Sequence, residues 1–146
     1  MKTKFHISTF LITALVFSLF LLAGFAFSQQ EDKGYIIDHE KEIAHDEPGP
    51  HDGGGKTTAF PFFSKFKGAK MSFRKRILHP GATIGYHLQE QQEIYYILNG
   101  KGELTTNGKT IIVSTGDAIL TLPGSHHGLK PAGNEDLSVL ITYENN

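Results

Sequence analysis

Beyond residue 57 the apolar residues never keep a helical beat. Short stretches rich in β-branched and aromatic side chains recur about every eight to ten positions, separated by turn residues. A helix would show an apolar period of 3.6 over several turns, and no segment after residue 57 does. Short strands at even spacing predict an all-β domain, a barrel or a two-sheet sandwich. The stretches 71–78, 83–88, 93–98, 101–106, 109–114, 118–122, 126–130 and 137–143 read as strands. Between them stand the turn signals His79-Pro80-Gly81-Ala82, Asn99-Gly100, Asn107-Gly108, Gly116-Asp117 and Pro123-Gly124-Ser125. Both Asn-Gly pairs predict tight hairpins.

Composition narrows the chemistry. The 146 residues suffice for one domain. There is no cysteine, which excludes disulfides, thiolate zinc sites, iron–sulfur clusters and a cysteine nucleophile. Net charge is −1, against the basic surplus of a dedicated nucleic-acid binder. Gly is high at 16 and Phe at 11, as a turn-rich β-fold demands. Eight histidines remain to be explained.

Residues 1–28 read as a secretory signal peptide. Lys2 and Lys4 precede an apolar run over 10–27, and Ala26-Phe27-Ser28 offers small residues for cleavage before Gln29. The expected destination is the periplasm or the medium. Left uncut, the run is just long enough to anchor the chain in a membrane. Residues 29–57 are polar and acidic, carry His39, His45 and His51, and include the run Gly53-Gly54-Gly55. They read as a flexible arm with at most a short strand at 34–38. Its histidines are expected to be solvated rather than ligands. The aromatic stretch 58–66 is expected to cover one end or edge of the folded domain, which spans 58–146.

Four residues stand out as candidate metal ligands: His87, Gln89, Glu93 and His127. On a strand, residues two apart share a face, so His87 and Gln89 point the same way. If 83–88 and 93–98 pair around a short turn, Glu93 stands opposite them. His127 lies on a distant strand that a barrel can bring across. Two imidazoles and a carboxylate with open positions are the ligand set of a facial triad, and the Gln89 amide oxygen is a neutral fourth.

These residues resemble the cupins. The run from Gly81 through His87, Gln89 and Glu93 to Gly100 has the spacing of the first cupin motif, with Gln89 where a second histidine is usual. Gly116, Gly124 and His127 fall in register with the second motif, where Leu122 and Pro131 stand in place of the usual Pro and Asn. The resemblance covers roughly residues 58–146. It implies a small antiparallel jelly-roll barrel holding a divalent transition metal inside, on His87, Gln89, Glu93 and His127. Manganese, iron, nickel and zinc all suit such ligands.

Two kinds of function follow. One is a metal-dependent enzyme of dioxygenase or isomerase type acting on a small organic molecule, with Glu93 as a proton shuttle and Tyr95 as a hydrogen-bond donor. The other is a non-catalytic cupin that binds a sugar or another small molecule around a degenerate site. Tyr95 shares the inward face of Glu93 and either lines a pocket or only packs. His126 is expected to face outward and His79 to be structural. The run Arg74-Lys75-Arg76 reads as a solvated edge, the alternative being an inward arginine for an anion. Outward apolar residues Ile94, Tyr96 and Leu98 suggest a homodimer.

Overall fold

The computed structural model describes residues 34–145, and the compact unit begins at Ile36. The segment read as a signal peptide lies outside these residues. In chain order come α1 (Glu40–Ile43), β1 (His45–Pro48), β2 (Lys56–Phe62), β3 (Met71–Leu78), β4 (Ile84–Leu88) and β5 (Glu93–Asn99). Then follow β6 (Lys101–Thr106), β7 (Lys109–Ser114), β8 (Ala118–Thr121), β9 (His126–Pro131) and β10 (Leu137–Glu144). A six-stranded sheet has the order β1-β2-β3-β10-β5-β8, and a four-stranded sheet the order β4-β9-β6-β7. Every pairing is antiparallel. The chain is an all-β antiparallel barrel of the jelly-roll kind. Among the described residues no helix is long and apolar enough to cross a membrane.

Alternation builds the core. On β5, Glu93, Tyr95 and Ile97 are buried, while Ile94, Tyr96 and Leu98 face out. Ile97 meets Leu78, Leu104, Leu129, Leu137 and Val139 in one apolar cluster. Burying such side chains contributes about 1.5–3 kcal/mol each. The inner face grades from this greasy end to a polar end. On β3, Leu78, Arg76 and Arg74 share the inward side, and Arg74 stands opposite Ile141, which pairs in turn with Tyr95. The site sits at the polar end.

Three readings need correction. The stretch 34–38 is not a strand, and residues 40–48 supply a helical turn and an edge strand rather than a plain solvated arm. β1 pairs with β2 from His45 to Pro48. Its sequence is too polar to advertise a strand, because polar links from Glu47 to Arg76 and from Asp46 to Lys56 and Thr58, rather than apolar alternation, tie it to its neighbours. The aromatic stretch is likewise not a cover: β2 lies within the sheet between β1 and β3.

The two Asn-Gly pairs also part company. Asn107 and Gly108 have positive φ of 44° and 80° and close the β6–β7 hairpin, as a two-residue turn of this kind requires. Asn99 and Gly100 do not make a hairpin. Here the chain leaves one sheet for the other, since β5 pairs with β10 and β8 while β6 pairs with β7 and β9. An Asn-Gly pair encodes a local bend, whereas the partner strand is chosen by non-local packing.

Candidate metal centre

His87 and His127 are direct partners in the register of β4 and β9. Their Nε2 atoms lie 3.1 Å apart. His87 Nδ1 lies 2.8 Å from the Gly85 carbonyl oxygen, to which it donates, so Nε2 carries the free lone pair. His127 is fully buried, and its Nδ1 is 3.0 Å from Thr121 Oγ1. With Nδ1 donating to that hydroxyl, its Nε2 is also an acceptor facing inward.

Glu93 reaches the same point from the opposite sheet. β4 and β5 do not pair: β4 belongs to the four-stranded sheet and β5 to the six-stranded one. The expected β4–β5 hairpin is therefore replaced by a crossing between sheets at residues 89–92. The crossing still delivers Glu93 inward, with Oε2 3.2 Å from His127 Nε2. Ligand atoms of His87, Glu93 and His127 all lie within 4.8 Å of one another. Glu93 Oε2 is buried and accepts no hydrogen bond. A buried carboxylate oxygen without a donor is costly, and two imidazole lone pairs aimed at each other repel. A cation between them relieves both, so the residues present fit a divalent transition metal.

A cavity of about 350 Å³ is lined by His87 and Glu93, with His127 buried behind them. Gln89 lines it, nearly buried, with its backbone held by Ser125 O and Gly124 N at 2.8 Å each. Tyr95 both lines the cavity and belongs to the core; its ring stacks on His127 at 5.2 Å. Burial, then the charge and hydrogen bond of Glu93, push the Tyr95 hydroxyl well above its ordinary value, which keeps it a donor. His126 faces out beside Tyr86, and His79 is tied to Asp136 and Thr58.

Two features depart from the favoured sequence readings, the first in the direction of the inward arginine given there as the alternative. Arg76 is not a solvated edge residue: it is 2% exposed, with Nη1 donating to Thr57 Oγ1 and Nη2 to Glu47 Oε1. Counting back by two from inward Leu78 places Arg76 and Arg74 on the inner face, a signal the alternation already held. Both arginines line the cavity. Arg76 is neutralised by Glu47, whereas Arg74 has no carboxylate within 4 Å among the described residues. The second feature is His51, whose ring stacks on His87. Burial, then neighbouring His87, push its imidazole below the ordinary range.

The family model described as "Cupin domain" matches residues 75–143. The barrel superposes on a crystal structure from Thermotoga maritima described as a predicted oxalate decarboxylase. The TM-score is 0.68 and the identity 30%, covering 76% of this chain and 100% of that one. The chain belongs to the cupin family. An oxalate-binding protein of Thermotoga maritima is 41% identical to this cupin over 69 residues, 47% of this chain and 57% of that protein. The chain thus spans less than two thirds of the curated relatives it matches, 57% and 61% of their lengths. A polyketide cyclase of Streptomyces resistomycificus shares the fold, with TM-score 0.66 at 22% identity over 76% of this chain and 80% of that one.

Proposed function

We propose that this cupin is an exported protein that binds a small carboxylate, of the size and charge of oxalate, at a divalent metal. His87, Glu93 and His127 hold the metal, with Gln89 as a neutral fourth ligand; manganese, iron, nickel and zinc all suit this set. The observation that carries the reading is the orphaned Glu93 Oε2 converging with two imidazole Nε2 atoms beside a cavity that Arg74 also lines. The bound metal supplies Lewis acidity at positions left open by the protein. Arg74, without a carboxylate partner among the described residues, supplies the second attraction for an anion. The likeness to an oxalate-binding protein supports the same ligand class.

Calorimetric titration of oxalate tests this. Metal-loaded protein is expected to bind oxalate and metal-stripped protein is not. Arg74→Met is expected to weaken binding about 10- to 100-fold, the loss of one charged hydrogen bond. Equal binding by loaded and stripped protein would refute the proposal.

An enzymatic reading draws on one further observation, that Tyr95 lines the cavity on the same strand face as Glu93. In that reading Tyr95 donates a hydrogen bond to substrate and Glu93 moves a proton, in chemistry of dioxygenase or isomerase type. Product formation from oxalate or a related acid, lost in Glu93→Gln, decides it.

The proposal includes a homodimer. Ile94, Tyr96 and Leu98 are 43%, 41% and 37% exposed on the outer face of β5, and Leu120 of neighbouring β8 extends the patch. Light scattering is expected to give twice the chain mass, and Tyr96→Asp a monomer. A monomeric wild type would remove this part.

A further inference from the structure

Residues 49–55 lie outside the stretch matched by the cupin model, yet they reach the metal centre. After β1 the chain turns back against β4. Gly85 N donates to Pro50 O at 2.9 Å. A Cβ on Gly85 would stand 1.9 Å from His51 O, and one on Gly53 1.9 Å from Thr83 O. The two backbones therefore touch with no side chain between them. At this contact His51 and Asp52 take positive φ of 55° and 58°, a region that disfavours residues with a Cβ. Such conformations persist where the surroundings fix them, often beside a functional site.

The consequence is a flat stack. The His51 and His87 rings lie 3.5 Å apart between centroids and 3° from parallel. Lone pairs in the plane of one ring cannot converge with those of a parallel ring on a single ion. His51 is thus not another ligand. It lines the cavity beside His87, and its ring makes no hydrogen bond among the described residues. His87 is less buried than His127, and the Gly85 carbonyl fixes its tautomer but leaves the ring free to tilt. A flat neighbour removes that tilt.

We propose that His51 is a positioning residue that pins the His87 imidazole, so that the N-terminal segment is a working part of the metal centre. The proposal rests on the reading that His87, Glu93 and His127 bind a metal. Outer groups that orient a metal ligand typically set affinity by about 10- to 100-fold. His51→Gly removes the ring and accommodates the positive φ, so the fold is kept. His51→Phe keeps a flat ring and removes both nitrogens.

The test is manganese titration of the full chain and of both variants, followed by calorimetry and by the electron paramagnetic resonance of the bound ion. His51→Gly is expected to bind manganese about 10- to 100-fold more weakly and to broaden the spectrum, with its thermal transition little changed. His51→Phe is expected to recover wild-type affinity to within about threefold, since the stack and not the nitrogens is the brace. Wild-type affinity in His51→Gly, or a His51→Phe as weak as His51→Gly, overturns the inference while leaving the metal site standing. No uptake of manganese, iron, nickel or zinc by the wild type, each offered in turn, overturns both.

Discussion

His127→Ala is expected to leave purification without a transition metal, its affinity lowered by more than about 100-fold, beyond what loss of an outer orienting group costs. His127 is fully buried, so its Nε2 has no water to turn to and its orientation is set by Thr121 on one side and Tyr95 stacked on its face. Removing it takes away one of two imidazoles and leaves Glu93 alone with His87. The variant also leaves a void beneath Tyr95, so its melting curve belongs in the same experiment. Retention of a full equivalent of metal by a folded His127→Ala would show that the ion sits elsewhere.

The second large effect concerns stability. Glu47→Gln is expected to cost about 1–2 kcal/mol, since Glu47 is itself partly exposed, and to lower the melting temperature by roughly 5 °C. Arg76 is 2% exposed, and its Nε already lacks a partner. Among the described residues Glu47 is the one carboxylate in an ion pair with it. Thr57 cannot replace it, because its hydroxyl accepts from Arg76 while donating to the Glu47 carbonyl. Burial pushes the Glu47 carboxyl up, but the hydrogen bond and charge of Arg76 outweigh it and hold the group below its ordinary value. A depressed carboxylate contributes stability above its unfolded value, about 4.3, and loses it as pH falls through the lower folded value. The wild type therefore loses stability on acidification below about pH 4, and Glu47→Gln lacks that component. Superimposable acid unfolding of the two proteins would remove the pair from the account.

Much of this was legible from alternation and turn chemistry. The bounds of β3, β6 and β7 follow from their apolar residues and the Asn107-Gly108 turn, because both signals are local. His87, Glu93 and His127 were legible because spacing fixes which side chains face inward, and an inward imidazole or carboxylate needs a reason. What was not legible is non-local. The sheet that takes β4 or β5 is chosen by packing across the barrel, so Glu93 reaches His127 from the opposite sheet rather than from a hairpin neighbour. β1 has no apolar stripe, since its place depends on Glu47 meeting Arg76 some 29 positions later. His51 was hidden for the same reason: its stack on His87 depends on glycine backbones meeting at Gly53 and Gly85, and no short pattern announces that contact.

The central claim is that the triad binds a divalent transition metal. Elemental analysis of the unsubstituted chain, purified without chelator or affinity metal, tests it most directly. Close to one equivalent of manganese, iron, nickel or zinc per chain is the expected result. A chain that carries none, and takes up none when each ion is offered in turn, would contradict it.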